Sequence, residues 1–532
     1  TSVIKTLSLH DALPIWVGDF NSLYPSSMIS EDISHDRFVT IGGKYDNLPN
    51  YTYTNIEYDV FQKVRLDGRK KEIKKKIGVQ VCRYAHSTDG KKGILPSILT
   101  ILLDARKEAK KKMDDEKDPF KVKIWNGKQL ALKITANSLY GQCGARTSPI
   151  NKVEIAASTT AIGRSMITFS KEYVEREYKD KIVTLDVGCS GIYDPVKKIM
   201  NPTKYTGMTV HVKDSYCVYG DTDSVFIKFG IYTHDGVKVE GLDAVHITTA
   251  LTTKVCKEIS SKLKKPQNIE KEKVVDPFIL ITKKRYHGHY YTKMDNPSFY
   301  PNSMGIVLKR RDNAPIVKMI FGGAVDIIMN DRDVNKAREF VINECIKLLK
   351  GEFPLDKFII SKTLRSYYKK PKQIAHNVLA MRQAQRDPGN KFEPNDRVPY
   401  AFIRTNGAKD LLQGDKIETP EFIKQNKLQI NYRMYMINQI IKPVSQIFEL
   451  VPGYEDTMDI LTALADQYDN EQAGNVNIAN FMTKSKQPAI RKLSQMKQEV
   501  VEDDDSEPEM DTDTDDEEGV GDSTPNYDNP QF

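Results

Sequence analysis

The sequence predicts an α+β protein with an antiparallel sheet, a helical hairpin and a long, mainly helical region toward its C-terminus. The sheet is indicated by residues 216–227, where β-prone residues flank Tyr219-Gly-Asp-Thr-Asp-Ser224 as two short strands joined by a tight turn. Residues 95–141 have apolar positions at helical spacing on both sides of Asp118-Pro119, which predicts the hairpin. Helical periodicity also predominates from about residue 332 to 467.

Composition is that of a soluble globular protein with several domains. The chain has 532 residues, of which 39% are hydrophobic and 28% charged. No apolar run is long enough to span a bilayer, and we identify no secretory signal. The six cysteines are scattered without a Cys-x-x-Cys pair, so we expect neither a zinc site nor a disulfide framework, and a reducing, intracellular setting.

The net charge of +7 combines two opposite regions. Residues 501–532 contain 14 acidic side chains and no Lys or Arg, which leaves about +21 on residues 1–500. A body that basic suits a polyanionic partner, usually nucleic acid, although ribosomal and histone-like binders share the property. The acidic run 502–518 predicts disorder, and we assign residues 481–532 to a disordered acidic tail.

The N-terminal segments differ in character. Residues 1–15 fit nothing that follows and are similar to translated sequencing-adapter sequence, so we predict a foreign leader on a fragment without its natural N-terminal part. A short strand is then predicted to end at Asp19. A turn follows it, shaped by Pro25 and capped by Ser26 or Ser27. An acidic residue at a strand end is otherwise often only a turn former.

A basic cluster, Lys63 to Lys76, lies in the mixed strand and loop of residues 36–94. Such a cluster is usually a solvated face, and localisation or phosphate contact is the less common role. After it, the hairpin places Arg106 and Lys110 four residues apart on one helix. Its second helix carries Lys133, Asn137 and Tyr140 on one face. The polar faces of the two helices can therefore both point toward an anion bound between them.

The remaining segments are predicted from periodicity and breakers. We expect helices at Glu154–Tyr178 and about 244–263, and a loop-like insertion at 183–213. One strand is predicted from Phe278 through Tyr291, on which His287 and His289 contact solvent or phosphate rather than form a metal pair.

Further toward the C-terminus, Leu355–Leu364 and Tyr400–Arg404 are strand candidates. Pro443 should kink or end the helix around Met434–Leu450, since proline removes a helical donor.

Asp221 and Asp223 are the first candidates for chemistry. They stand two residues apart, so strand alternation lets both carboxylates project to the same side. Two such charges are costly unless a cation lies between them, and Mg²⁺ prefers carboxylate oxygens. The alternative for this stretch alone is a solvated hairpin turn.

Together these segments resemble the family B, replicative-type DNA polymerases, most of all those of large nucleocytoplasmic DNA viruses. The resemblance covers roughly residues 16 to 470 and consists of five motifs in the family's order. They are Asp19-Phe-Asn-Ser-Leu-Tyr-Pro-Ser26, Lys133-Ile-Thr-Ala-Asn-Ser-Leu-Tyr-Gly141, Tyr219-Gly-Asp-Thr-Asp-Ser224, Lys283-Lys-Arg-Tyr286 and Arg310-Arg-Asp-Asn313.

The resemblance implies a right-hand polymerase fold. The palm would be an antiparallel sheet with helices on one face, built from residues 16–94 and 146–330. The fingers would be the helical hairpin 95–145, and the thumb the mainly helical region 331–480. The family's proofreading exonuclease precedes the first motif, so we expect no exonuclease domain in this chain.

The implied chemistry is primer extension with two Mg²⁺ ions, for which Mn²⁺ is a possible substitute. Asp19 and Asp223 would bridge the ions, the Phe20 carbonyl would be a further ligand, and Asp221 would support the site. Lys133 would donate a proton to the departing pyrophosphate. Carboxylates from separate chain segments meeting at one point are what a two-ion site requires.

The substrate contacts are likewise implied by the resemblance. Tyr24 would lie under the incoming sugar and exclude a 2′-hydroxyl. The residues implied for the incoming deoxynucleoside triphosphate are Ser22, Leu23, Tyr24, Arg106, Lys110, Lys133 and Asn137. Those implied for primer–template DNA are Tyr140, Gly141, Lys283, Lys284, Arg285, Tyr286, Arg310 and Arg311, which would contact phosphates or the nascent base pair.

The function implied is template-directed DNA synthesis for viral DNA replication, in the host nucleus or a cytoplasmic viral factory. Partners would be primer–template DNA, deoxynucleoside triphosphates and a sliding clamp or other replication proteins. The cysteine clusters of cellular relatives are absent, which favours a viral origin. The alternatives are a catalytically inactive primer–template-binding remnant and an RNA-templated or RNA-making polymerase, which the Tyr24 gate and the motif spacing disfavour.

Overall fold

The computed structural model describes residues 13–65, 72–185, 192–194, 199–201, 207–291, 300–405 and 412–472. Residues 1–469 form one unit and residues 470–532 another. The strands are β1 (Ile15–Phe20), β2 (Phe38–Val39), β3 (Tyr51–Arg65), β4 (Glu72–Ser87), β5 (Lys181–Thr184), β6 (Ile192–Asp194), β7 (Ile199–Asn201), β8 (Thr209–Asp221), β9 (Ser224–Tyr232), β10 (Ile269–Thr282), β11 (Arg285–Tyr291), β12 (Tyr300–Met304), β13 (Ile360–Thr363), β14 (Arg397–Phe402) and β15 (Ile417–Glu418).

The helices are α1 (Leu23–Ser30), α2 (Ile94–Asp115), α3 (Pro119–Gly144), α4 (Val153–Glu177), α5 (Gly241–Lys262), α6 (Pro315–Asp331), α7 (Val334–Leu349), α8 (Ala375–Arg386), α9 (Pro420–Asn426), α10 (Tyr432–Tyr435), α11 (Lys442–Phe448) and α12 (Thr457–Gln472). The predicted α+β class is confirmed. The two helices of the predicted hairpin are α2 and α3, and the predicted helices at 154–178 and 244–263 are α4 and α5.

The main sheet has seven antiparallel strands in the order β12-β11-β10-β1-β9-β8-β5. Side chains alternate along the central strand β1, so Trp16 and Phe20 point to one face and pack in the core shared with α4 and α5. Ile15 and Val17 point to the other face and pack with aromatic residues of β8 and β9. Asp19 follows the same alternation and therefore lies on the face away from these helices.

The helical hairpin shares a core with α1, β3, β4 and the start of α4. Asp118 caps α3 by accepting a hydrogen bond from the backbone N–H of Phe120 at 2.9 Å, and Pro119 takes a position where no donor is needed. Leu99 of α2 and Ala136 of α3 are buried in a cluster that also includes the start of α4. The hairpin is thus anchored at the end nearer the main sheet.

The C-terminal region is less helical than the sequence predicts. A three-stranded sheet, β13-β14-β15, packs with α6, α7 and α11 in the largest core. The strand expected at Leu355–Leu364 is a 3₁₀ turn, Leu355–Phe358, followed by β13. At Pro443 the helix does not end: a π-helical stretch, Met436–Ile441, leads into α11, and the proline lies in the first turn of α11.

Three local predictions are wrong. α1 is preceded by Ser22 in the left-handed region (φ 49°), whereas Ser26 and Ser27 lie inside the helix. The single strand expected from residue 278 to 291 is the hairpin β10–β11, with a turn at Lys283–Lys284. His287 and His289 are only 3% and 5% exposed, so they lie in the interior rather than at a solvent or phosphate surface.

The ends of the chain are only partly described. Ile15 begins β1, and it is buried together with Leu13, so at least residues 13–15 belong to the fold rather than to a leader. Residues 1–12 and the tail 481–532 lie outside the described residues, as does most of the insertion predicted at 183–213. Five cysteines of the described part are free thiols. Among the described helices, none combines the length and apolar character needed to cross a membrane.

Candidate active site

Two carboxylates from distant parts of the chain meet at one end of β1. In the strand register Asp19 lies opposite Ser224 of β9 and Glu270 of β10. The backbone N–H of Phe20 donates to the carbonyl of Asp223 at 2.8 Å, which ties the β8–β9 turn to the end of β1. The convergence of Asp19 with the 221–223 turn, expected from the sequence, is therefore present.

The electrostatics of this pair favour the uptake of positive charge. Burial raises the pKa of Asp19 to about 7, and the negative charges of Asp223 and Glu272 add to the rise. The pKa of Asp223 is also raised, chiefly by burial. Lys133 opposes both shifts but does not cancel them. A cation between the two carboxylates would relieve their mutual repulsion.

The raised pKa of Asp19 predicts a pH-dependent effect on stability. Well below pH 3.8, the ordinary pKa of an Asp carboxyl, the Asp19 carboxyl is protonated in the folded and unfolded chain alike. As pH rises toward 7, the unfolded chain releases a proton that the folded chain holds, so folding loses stability. We expect Asp19→Asn to raise the melting temperature at pH 8 by about 1–3 °C more than at pH 5, without divalent ions. The measurement is thermal unfolding, with the exposed Asp235→Asn as control, and a pH-independent difference would contradict it.

Asp221 differs from Asp223 in its surroundings. The chain leaves the strand after Asp221, because Thr222 adopts a left-handed conformation (φ 48°), so strand alternation does not relate the two carboxylates. The carboxylate of Asp221 instead lies 3.1 Å from the ammonium of Lys284 and accepts a hydrogen bond from the Thr222 hydroxyl at 3.2 Å. Within the described residues, no three His, Cys, Asp or Glu side chains form a ready metal-binding group.

Cationic side chains of the helical hairpin border the carboxylates. Lys133 of α3 lies close enough for its charge to lower the pKa of both Asp19 and Asp223. Arg106 of α2 is half-buried and donates to the hydroxyl of Ser22 at 2.9 Å. Lys110 and Asn137 are exposed on the same two helices. The structure thus brings the first β-strand, the carboxylate turn and the hairpin together.

Tyr24 is held between two elements. Its ring stacks on that of Tyr140 in α3, with centroids 4.4 Å apart and an interplanar angle of 29°. The ring also approaches Gly163 of α4, where an added Cβ would lie 3.2 Å from the Tyr24 ring and 3.1 Å from Leu23. The ring orientation is consequently fixed by stacking and by the close approach that a glycine permits.

The β10–β11 turn lies beside the carboxylate turn. The backbone N–H of Lys284 donates to the Tyr219 hydroxyl at 2.9 Å, while the side chains of Lys283 and Lys284 are exposed. Tyr286 is only 6% exposed and packs on Tyr219, so its ring supports the turn and offers little surface to DNA. This corrects the contact expected for Tyr286.

Further cations adjoin this turn. Burial lowers the pKa of Arg285, and the nearby charge of Arg310 lowers it further. Arg310 also forms two hydrogen bonds with Asp312, at 3.1 and 2.8 Å, and Arg311 is exposed. Arg285 and Arg310 therefore belong to one basic surface near the site.

Sequence reasoning did not single out three residues that shape the site. Glu272 raises the pKa of both Asp19 and Asp223, and Lys273 pairs with it at 2.8 Å. Gly163 packs against Tyr24 from α4. The alternating charges of Ile269-Glu-Lys-Glu-Lys273 are the only signal for the first two, and a lone glycine in a helical pattern is the signal for the third.

Comparison with known proteins decides the family. The family model described as DNA polymerase family B matches residues 4–451. The chain belongs to DNA polymerase family B. The family B match begins within the predicted leader and ends before the acidic tail.

Individual relatives are viral and eukaryotic. The chain is 40% identical over 482 residues to a DNA polymerase of Pyramimonas orientalis virus, which covers 82% of this chain and 36% of the relative. It is 45% identical over 272 residues to a DNA polymerase of Acanthamoeba polyphaga mimivirus, covering 50% of this chain and 16% of that one. The DNA polymerase delta catalytic subunit of Caenorhabditis elegans is 35% identical, covering 83% of this chain and 35% of the relative.

The solved family B DNA polymerase from Pyrobaculum calidifontis shares the fold. The TM-score is 0.50 at 20% identity, over 82% of this chain and 45% of that one. This family B chain spans about a third of the length of the viral and delta relatives that match most of it.

Proposed function

We propose that this chain is the polymerase part of a template-directed DNA polymerase, which extends a primer 3′-hydroxyl with deoxynucleoside triphosphates in viral DNA replication. The observation that carries the proposal is the meeting of Asp19 and Asp223, both with raised pKa, opposite Lys133. Membership of family B and the viral relatives support the same conclusion. The free cysteines support an intracellular setting for the reaction.

The positions of the site residues support an assignment of right-hand subdomains. We assign the sheet with α4 and α5 to the palm, within residues 16–94 and 146–330, because it carries the carboxylates. The hairpin 95–145 is the fingers, since it carries the cations that face them. We assign residues 331–480 to the thumb, whose described helices and three short strands share one core with α6 and the end of β10.

The residues present suit divalent ions. Asp19 and Asp223 are hard oxygen donors that repel each other in a buried position, and Mg²⁺ or Mn²⁺ takes such oxygens. We assign the ions to these two carboxylates, with the Phe20 carbonyl as a further ligand and Asp221 in support. When bound, two ions stabilise both the attacking and the leaving oxygen of a phosphoryl transfer.

The hairpin side chains bind and orient the triphosphate. Arg106, Lys110 and Asn137 would hold its phosphates, since they lie on the two helices that carry Lys133. The hydrogen bond from Arg106 to Ser22 holds the guanidinium next to the first carboxylate motif before substrate arrives. Lys133 would give a proton to the departing pyrophosphate.

DNA would lie along the basic surface beside the site. Lys283, Lys284, Arg285, Arg310 and Arg311 offer charge to duplex phosphates without reading sequence. Tyr140 and Gly141 would approach the nascent base pair from the fingers. In the structure the Tyr140 ring stacks on Tyr24. A bound base pair would therefore replace part of the contact between these two rings.

A catalytically inactive DNA binder is the alternative from another functional class. The clustered carboxylates are evidence against this alternative, because they would repel the phosphates of bound DNA. Primer extension by the 532-residue chain, with and without Mg²⁺, separates the two functions. We expect Mg²⁺-dependent extension with deoxynucleotides and little with ribonucleotides. DNA binding without extension would favour the inactive binder, and efficient use of ribonucleotides an RNA-making enzyme.

The acidic tail provides a further prediction. Residues 501–532 carry 14 negative charges and no Lys or Arg, so they gain nothing from contact with DNA. Deleting them should leave the rate of primer extension unchanged within about twofold, while binding at low salt tightens or stays the same. A steady-state extension assay of both chains measures this, and a collapse of activity would show that the tail is needed.

A further inference from the structure

The ribbon formed by β3 and β4 continues beyond the core. Near its base Ile56 and Cys82 are buried with the helical hairpin. Farther along, Phe61, Val79 and Ile77 are 51%, 52% and 58% exposed. We call residues 57–65 and 72–81 the distal ribbon. Within the described residues these side chains are exposed, so this part of the two-stranded ribbon gains little stability from burial.

The distal ribbon concentrates positive charge. Lys63 lies directly opposite Lys74 in the register, and Lys75 follows opposite Gln62. Like charges directly opposite each other destabilise an antiparallel pair. Lys76 pairs with Asp59, with 2.6 Å between ammonium and carboxylate. The exposed lysines of the ribbon give it a positive surface, which suits a polyanion.

Charge and apolar surface occur on the same side. Opposed residues in an antiparallel pair share a face and alternate along the strand, so Phe61, Lys63, Lys74 and Lys76 project together. Lysines fit phosphates, and an exposed ring beside them fits the sugars or bases between phosphates. An acidic protein surface would match the lysines but would not need the neighbouring ring.

We propose that the distal ribbon binds the phosphate backbone of the DNA substrate, outside the basic surface next to the active site. The inference rests on the proposed function, which makes DNA the substrate, and adds a second contact surface for it. Single-stranded template and duplex DNA share this phosphate chemistry. Separate binding measurements on the two forms identify which one the ribbon holds.

The test neutralises three lysines in the full chain. The variant Lys63→Gln, Lys74→Gln, Lys76→Gln changes the three lysines that share a face with Phe61 and removes the repulsion between Lys63 and Lys74. The exposed Lys76–Asp59 pair, which it also removes, contributes at most about 1 kcal/mol, so the melting temperature should fall by no more than about 2–4 °C. The control variant is Lys179→Gln, Lys257→Gln, Lys262→Gln, whose exposed lysines lie on or next to α4 and α5, on the opposite side of the main sheet from Asp19. Both variants lose three positive charges.

Binding of each chain to a single strand and to a blunt duplex is measured by fluorescence anisotropy between 50 and 300 mM salt. For whichever form of DNA the ribbon binds, single strand or duplex, we expect the ribbon variant to have a Kd at low salt at least about tenfold higher than that of wild type. The slope of log Kd against log salt should shrink by about 2–3, because each phosphate contact contributes about 0.7–0.9. The control should change Kd less than about twofold.

The outcomes separate this proposal from the proposed function. If the slope of log Kd against log salt is the same for the ribbon variant and the control on both forms of DNA, the distal ribbon does not bind DNA, whether or not the chain extends primers. A wild-type chain that fails to extend primers would contradict the proposed function. In that case, a smaller slope of log Kd against log salt in the ribbon variant would still support DNA binding by the distal ribbon. At saturating DNA, single-turnover incorporation by the ribbon variant should stay within about twofold of wild type.

Discussion

Asp223→Asn is expected to slow nucleotide incorporation at least about a thousandfold, which corresponds to about 4 kcal/mol of transition-state stabilisation. The amide keeps the size of the side chain but removes the charge that a bound cation needs. The backbone link from Phe20 to residue 223 uses the main chain, so the turn should keep its position. Single-turnover primer extension at saturating DNA and nucleotide measures the rate.

The control for this substitution is Asp235→Asn, in an exposed turn after β9. Its rate should match wild type within about twofold. Binding of primer–template by Asp223→Asn should be unchanged or slightly tighter, because a negative charge near phosphates is removed. A rate close to wild type would contradict the assigned role of Asp223, and lost DNA binding would indicate a folding defect.

Tyr24→Ala is expected to reduce discrimination against ribonucleotides by about a hundredfold or more. The wild-type ring stacks on Tyr140 and packs closely against Gly163, so it cannot move away from a 2′-hydroxyl without losing this packing. Removing it leaves space for that hydroxyl, and about 3 kcal/mol of steric discrimination disappears. The ratio of kcat/KM for deoxy- and ribonucleotides on one template measures the change.

Tyr24→Phe is the matched control, since it keeps the ring and its stacking but lacks the hydroxyl. Its sugar selectivity should stay within about threefold of wild type. Unchanged selectivity in Tyr24→Ala would contradict the gate. A large loss in Tyr24→Phe would assign the discrimination to the phenol hydroxyl instead of the ring.

Much of the site could be predicted because its residues lie in strongly patterned segments. The apolar spacing of α2 and α3 and the break at Asp118-Pro119 are local signals, and helical spacing then places Lys133 and Asn137 on one face. The approach of Asp19 to Asp223 is not local. It was inferred from the family resemblance, and the register of β1 with β9 accounts for it.

The errors arose where the backbone departs from regular geometry without a sequence signal. Lys284 adopts φ 62° in the β10–β11 turn, a conformation more typical of glycine or asparagine, so nothing in the sequence separates the turn from the strands on either side. The same mistake placed His287 and His289 on an exposed strand. Thr222 likewise ends the alternation between Asp221 and Asp223.

Tertiary contacts explain the remaining omissions. Glu272 sits at a register irregularity of β10 beside β1, and its effect on Asp19 depends on that pairing. Gly163 matters only because α1 packs on α4 at that point. Neither residue belongs to a motif, so only the assembled sheet and helices bring them to the site.

The most direct test of the central claim is a titration of the full chain with Mn²⁺ in the presence of primer–template and a non-hydrolysable deoxynucleoside triphosphate, followed by electron paramagnetic resonance. We expect the wild-type chain to bind two ions at pH 8, and Asp19→Asn and Asp223→Asn each to lose at least one or to weaken binding about tenfold or more. Equal stoichiometry and affinity in all three chains would show that Asp19 and Asp223 do not form the proposed nucleotidyl-transfer centre.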